Sequence, residues 1–229
     1  MSSKVNYFTH RVRTLEDDSS RSILGEREVK TLLTVLDIQD GPKSLNGKSI
    51  ADLGCGDQHL RAAFELRGAS YQGIDINDCN LEVDPFPICN ETVDIVVSMA
   101  VLEHLRDPGH FLAEIKRVLK PGGVLWMDTP DIEACGNKFW NDPTHVHPYT
   151  RASLKTLLSM SGFEDVLVTP NYRCKKRSMY ASTDWSFFQA RYLMPFAGTS
   201  RIPAPSALKG GCTGLFGLGR KSTGDFKDI

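Results

Sequence analysis

At 229 residues, 41% of them hydrophobic, the chain is long enough to bury one sizeable core with a small appendage, and none of its apolar runs approaches the roughly 18 residues of a membrane span. Its first residues, Met1 to Asn6, lack a charged segment leading into an apolar one, so a cytoplasmic protein is expected. The net charge of −1 hides an asymmetry: residues 1–169 carry 17 Lys plus Arg against 25 Asp plus Glu, whereas residues 170–229 carry 10 against 3.

In chain order, residues 1–22 are polar and mixed in charge, and Glu16 to Ser20 reads as a loop. Val29, Leu32, Leu33 and Leu36 then fall at i, i+3, i+4 and i+7, which predicts a helix from about Leu24 to Asp37, stopped by Gly41-Pro42. Ser49 to Leu53 reads as a short buried strand and Leu60 to Leu66 as a helix, with a tight turn through Gly54 and Gly56 between them. A second strand, Tyr71 to Ile76, carries Asp75 near its carboxyl end, and a third runs from Asp94 to Ser98. Only 19 residues separate Asp75 from Asp94, and they include Asp84-Pro-Phe-Pro87, so a loop or single turn replaces a crossover helix there.

Asp107 and Pro108 supply an N-cap and a first-turn proline for a helix whose stripe is Phe111, Leu112, Ile115, Val118 and Leu119. Pro121-Gly-Gly123 should end that helix and feed a strand from Val124 to Asp128. Thr150 caps a further helix bearing Leu154, Leu157 and Leu158, which Gly162 terminates before a strand from Glu164 to Thr169. Strands alternating with helices predict a mostly parallel sheet covered on both faces. The six cysteines, at 55, 79, 89, 135, 174 and 212, include no Cys-x-x-Cys pair, which argues against structural zinc and a disulfide framework.

The glycine turn at the end of a buried strand implies a nucleotide-like ligand, with the backbone open to close approach. A dinucleotide fingerprint wants a third glycine where His59 stands, which disfavours a nicotinamide oxidoreductase. Eighteen residues beyond Asp57, Asp75 is placed to accept hydrogen bonds from both hydroxyls of a ribose. Asp52-Leu-Gly-Cys-Gly56, Gly73-Ile-Asp75, Asp94 to Ser98, Val101-Leu-Glu-His-Leu105 and Leu119-Lys-Pro-Gly-Gly-Val-Leu125, in this order, resemble the class I S-adenosylmethionine-dependent methyltransferases over residues 45–170. The resemblance implies an α/β, Rossmann-like fold with helices on both faces of a mostly parallel sheet. It also implies a helical cap at 1–44, with the segment from Tyr7 to Leu36 covering the cofactor. Residues 171–229, from their own composition, are expected as a basic, aromatic extension packing on the core.

The resemblance further implies S-adenosylmethionine as cofactor, with Asp52, Gly54, Cys55 and Gly56 at its methionine end and Asp75 with Ile76 at the ribose. Asn80 is expected near the adenine amino group, Asp78 being the alternative, with main-chain groups of Leu81 able to contribute. Ser98, Met99 and Ala100 would form the floor beneath the sulfonium. Gln58 stands where relatives often carry another glycine, narrowing the turn or bonding the cofactor. Glu103-His104 sits where many relatives also have Glu-His, and is read as orienting the strand-to-helix loop without chemistry of its own.

Phe139 to Tyr149 gathers two histidines, a carboxylate and three aromatics at the rim where open parallel sheets place their ligands. His145 and His147 are candidates for a general base; alternatively they are metal ligands with Asp142, or the segment is an acceptor-pocket wall. No metal is assigned. Similar Asp-Pro-Thr-His segments recur in methyltransferases associated with surface glycans and glycolipids, so the resemblance favours an acceptor-facing role for this segment without identifying the acceptor. The leading expectation is an O-directed enzyme acting on a sugar or lipid-linked glycan. A small quinone-like, phenolic or carboxylate metabolite is the alternative acceptor, and a non-catalytic cofactor-binding subunit is the rival from another class. No nucleic-acid partner is expected. Arg173, Lys175, Lys176, Arg177 and Arg191 beside the tail's aromatics offer peripheral membrane contact or a lipid-linked, phosphate-bearing acceptor, against the plain reading that this region covers the sheet edge. The glycines at 210, 211, 214, 217 and 219 suggest turns or mobility.

Overall fold

The computed structural model describes residues 18–38, 42–171 and 213–224. Its strands are β1 (Ser49–Leu53), β2 (Ser70–Ile74), β3 (Val93–Met99), β4 (Leu119–Pro130), β5 (Phe163–Pro170) and β6 (Gly214–Lys221). They form one sheet in the order β2-β1-β3-β4-β6-β5, parallel from β2 through β4, with β6 antiparallel to both neighbours. The helices are α1 (Asp18–Ile38), α2 (Arg61–Glu65), α3 (Pro108–Val118), α4 (Ile132–Cys135) and α5 (Arg151–Met160), with single 3-10 turns at Leu102–His104 and Gly136–Asn141.

Side-chain alternation along the strands divides the core into two layers. Ala51, Leu53, Val96, Leu125 and Met127 face Phe111, Leu112 and Ile115 of α3 and Leu154 and Leu158 of α5. On the other face Ile50, Ile95, Val97, Val124 and Trp126 meet Val29, Leu32, Val35 and Leu36 of α1 and Ala63 and Phe64 of α2. This is the expected α/β, Rossmann-like arrangement. Asp107 caps α3 by accepting from the Gly109 amide at 2.9 Å, and Thr150 and Ser153 form a reciprocal capping box at α5. Residues 75–92 contain only turns, held to α3 by Arg117, which donates to the carbonyls of Ile88 at 2.9 Å and Phe86 at 3.1 Å.

Three expectations need correction. Residues 18–20, which fall in the segment expected as a loop at 16–20, are helical. Strand β4 begins at Leu119, before Pro121-Gly-Gly123. Leu119 pairs with Val93 and Val124 with Ile95, so the Pro-Gly-Gly segment is a bulge inside the ladder, and Gly122 takes a φ of +74°.

The glycines at 214, 217 and 219 lie in β6, not in turns. A Cβ on Gly217 would meet Leu158 and Met127 at 3.2 Å, and one on Gly219 would meet the Phe163 Cβ at 2.8 Å, so close packing explains the glycines. Residues 214–221, which the sequence assigns to the C-terminal extension, thus fill a gap between β4 and β5. Gly210, Gly211, Tyr7 and the basic residues Arg173, Lys175, Lys176, Arg177 and Arg191 lie outside the described residues. No described helix is long and apolar enough to cross a membrane.

Candidate functional site

The strand order reverses between β1 and β3, which opens a crevice at the carboxyl ends of those strands, the usual ligand position in an open parallel sheet. Its lower wall is the glycine turn. The amides of Gly54 and Cys55 donate to the Ile74 carbonyl at 2.8 and 3.2 Å, tying the turn to β2. That close approach requires Gly73, whose Cβ would meet the Cys55 Sγ at 2.8 Å. Gly54 has φ +76°, and a Cβ there would lie 2.3 Å from Val101 Cγ2, so the second wall abuts the first at this point.

Of the four described non-glycine residues in the left-handed region, two lie at the crevice, Gln58, φ +57°, in the turn, and Ala100, φ +55°, at the end of β3; Glu91 and Asp165 lie elsewhere. Gln58 accepts from Arg61 Nε at 2.7 Å, and the Ala100 amide donates to the Asp128 carbonyl at 2.9 Å. Non-glycine residues held in this region carry strain, which tends to gather where backbone is shaped for a ligand.

Asp52 lies beneath the turn, 2% exposed, and accepts a 2.5 Å hydrogen bond from the Tyr71 hydroxyl. Burial pushes its carboxyl up to about 6, against the opposing effect of the Tyr71 bond and of His59. The tyrosine is itself pushed upward by burial and by Asp52. Burial and the carboxylates of Asp52, Asp75 and Asp78 raise the Cys55 thiol to about 12, so Cys55 is a protonated packing group and no nucleophile.

Asp75 ties the end of β2 to the glycine turn: one carboxylate oxygen accepts from the Gly56 amide and the other from the adjacent Ile76 amide, both at 2.6 Å. Asp78 accepts from the Asp75 amide at 2.9 Å, and the Asn80 side chain accepts from the Glu82 amide at 3.1 Å. Both side chains nominated for adenine are therefore engaged in their own turns, beside a buried Leu81. Ser98 is buried with an unpartnered hydroxyl among the described residues, Met99 is half-buried and Ala100 exposed, all at the crevice end of β3.

Sequence reading missed how α1 braces the turn. A Cβ on Gly25 would lie 2.1 Å from the His59 carbonyl, so helix and turn touch through backbone. Glu28 bonds His59 Nε2 at 2.8 Å, and Glu26 receives two hydrogen bonds from Arg67 at 2.8 and 2.9 Å. Burial works against protonation of His59, but the Glu28 bond and the neighbouring carboxylates outweigh it and raise its pKa. The lone glycine in a helical pattern was the available signal.

The rim segment beyond β4 is held over the 3-10 turn that follows β3. Glu103 is 1% exposed; its carbonyl accepts from the amides of Val146 at 2.9 Å and His147 at 3.1 Å, and its carboxylate accepts from the Thr129 hydroxyl at 2.9 Å. Asp142 accepts from the amide and hydroxyl of Thr144, and that hydroxyl lies 2.9 Å from His104 Nδ1. His145 packs between Phe139 and His104, with ring centroids 4.5 and 4.9 Å away, while half-buried His147 stacks on Tyr149 at 5.2 Å. The two histidines nominated as candidate bases, or as metal ligands with Asp142, thus have different surroundings, and His145 packs with His104 beside Glu103.

A family model described as a methyltransferase domain matches residues 26–168. The chain is 39% identical over 98 residues to a probable S-adenosylmethionine-dependent methyltransferase of Mycolicibacterium smegmatis, covering 42% of this chain and 37% of that one. It is 31% identical over 142 residues to a ubiquinone biosynthesis O-methyltransferase of Hahella chejuensis, covering 52% of this chain and 60% of the relative. The chain therefore spans about half the length of these curated relatives, or somewhat less or more. In fold it is similar to a SAM dependent methyltransferase from Archaeoglobus fulgidus, with a TM-score of 0.54 at 17% identity, covering 85% of this chain and 94% of that one.

Proposed function

The chain belongs to the class I S-adenosylmethionine-dependent methyltransferases, and from that premise we propose that it methylates a hydroxyl oxygen of a small acceptor held at the carboxyl-end rim of the sheet. S-adenosylmethionine, the cofactor, supplies an activated methyl group. The residues fit it: a glycine turn with exposed backbone, an acid facing that turn from the end of β2, a buried acid beneath it and an unpartnered Ser98 hydroxyl in the floor. Asp75 would exchange its Gly56 contact for the ribose hydroxyls, and Asp52 would answer the ammonium group directly or through water. Gly54, Cys55, Gly56 and Ile76 would offer main chain, as would Asn80 and Leu81 toward the base, while Ser98, Met99 and Ala100 line the floor.

The observation that supports the acceptor reading is the docking of the rim segment after β4, which carries His145 and His147, on the turn that follows β3 through the Val146 and His147 amides and the Glu103 carbonyl. An imidazole there would take the hydroxyl proton during transfer. The O-methyltransferase relative supports a small, phenolic or quinone-like acceptor. Within the Asp142-Pro-Thr-His145 segment, Asp142 orders Thr144, and the Thr144 hydroxyl lies against His104. Incubation with S-adenosylmethionine carrying a labelled methyl group, against panels of phenols, sugars and carboxylates, tests the reading. Label on a phenolic oxygen is the expected result; label only on nitrogen or carboxylate acceptors would overturn it.

A further inference from the structure

Glu103, His104 and His145 come from two separate segments, yet one ligating atom of each lies within 4.8 Å of the other two. We propose that these three side chains bind a single first-row divalent cation. Two imidazoles and a carboxylate suit Zn²⁺, Co²⁺, Mn²⁺ or Fe²⁺ and leave coordination positions open. Ligands about 2.0 to 2.2 Å from one ion stand roughly 3 to 4 Å apart, so closure requires side-chain shifts of about an ångström.

The surrounding bonds are those that orient metal ligands. His145 Nδ1 donates to the Phe139 carbonyl at 2.8 Å, because a carbonyl can only accept. His104 Nδ1 faces both the Thr144 carbonyl at 3.2 Å and the Thr144 hydroxyl, whose own proton goes to Asp142. Both rings therefore carry their proton on Nδ1 when neutral, with the lone pair on Nε2; that nitrogen of His145 lies 3.6 Å from Asp142 Oδ2. Outer partners of this kind fix the tautomer and orientation of ligating histidines. Thr129 likewise fixes one oxygen of Glu103 while the other lies 4.0 Å from His104 Nε2. The two backbone bonds to the Glu103 carbonyl hold the His145 loop in place without an ion.

The buried Tyr149 hydroxyl has no hydrogen-bonding partner among the described residues, and its ring stacks on His147 two residues beyond His145. At an open coordination position the ion would hold the acceptor's hydroxyl oxygen and lower its pKa, its proton passing to water or to His147. That role rests on the hydroxyl-acceptor reading; cation binding itself does not.

The test titrates the chelator-treated full chain with Co²⁺ alone, read by visible absorption, and then displaces it with Zn²⁺. One Co²⁺ per chain is expected. Glu103→Gln and His145→Gln should weaken uptake by at least about 100-fold, Thr144→Val by about 10-fold through the loosened His104, and His110→Gln on α3 should leave it unchanged. Circular dichroism checks the fold, and Thr144→Val serves if a buried ligand variant does not fold. Absence of stoichiometric Co²⁺ or Zn²⁺ uptake by the wild-type chain, or folded ligand variants that bind as tightly, would overturn the site. A parallel titration with S-adenosylhomocysteine separates the readings: binding of that ligand without uptake of metal would sink the cation site and leave the methyltransferase assignment standing.

Discussion

Asp75 is the residue on which cofactor binding should depend most visibly. Its carboxylate already accepts two short backbone bonds, one from Gly56 of the glycine turn and one from Ile76, and the ribose would take over at least one charge-assisted bond. Asp75→Ala should weaken S-adenosylhomocysteine binding by about 1.5 to 3 kcal/mol without unfolding the protein, as calorimetry would measure. Asp52 offers a pH signature. Burial raises its carboxyl from 3.8 to about 6, so the folded state holds that proton more tightly than the unfolded chain. The resulting stability is present at low pH and is lost as pH rises from about 4 to about 6, leaving a deficit of about 3 kcal/mol at neutral pH. Asp52→Asn, which can still accept from Tyr71, should therefore melt higher at pH 7 with a gain that disappears near pH 4. A cationic ammonium partner favours the ionised carboxylate, so cofactor affinity should fall below about pH 6 in the wild type and lose this dependence in the variant. Loss of His145 and His147 together should cost roughly 10²- to 10⁴-fold in turnover with cofactor affinity unchanged. Near-normal turnover of His145→Ala, His147→Ala and the double variant would leave the rim as a pocket wall.

Among the elements, the glycine turn and its brace make the strongest demands on sequence. Gln58 occupies a left-handed conformation that glycine adopts without strain, so Gln58→Gly should raise stability by about 1 kcal/mol despite losing the Arg61 bond. Gly25→Ala should do the reverse, lowering stability by about 1 to 3 kcal/mol as the new methyl drives α1 away from the His59 carbonyl. Thermal melts of the two variants check both signs. Most strands and helices of the sheet were legible because the chain carries alternation, caps and turns locally: Ser49–Leu53, the Asp107-Pro108 start and the Thr150 cap need no distant partner. Strand β6 was not, since Gly217 and Gly219 read as turn residues until Leu158, Met127 and Phe163 are known to crowd them. In the same way Asp52, Gly54, Gly56 and Asp75 were nominated by motif order, whereas the meeting of His145 with Glu103 and His104 depends on a loop docking 41 residues away in sequence, through bonds from Val146 and His147.

At the scale of the whole molecule, a shared sheet fixes where a ligand lies and leaves the chemistry to the rim. Here the crevice between β1 and β3 is walled by the glycine turn and by the end of β3, and the segment after β4 lies over the 3-10 turn next to it, so the proposed cofactor and acceptor functions would fall on separate, adjoining elements. Changes in one should leave the other intact: rim variants should alter acceptor turnover, and turn variants should alter cofactor affinity. Calorimetric titration of the full chain with S-adenosylhomocysteine and with NAD, in wild type and Asp75→Ala, tests the central assignment most directly. The account predicts one S-adenosylhomocysteine per chain, no competing affinity for NAD, and binding weakened about 10- to 150-fold in the variant. Equal affinity in a folded Asp75→Ala variant, or preference for NAD, would contradict it.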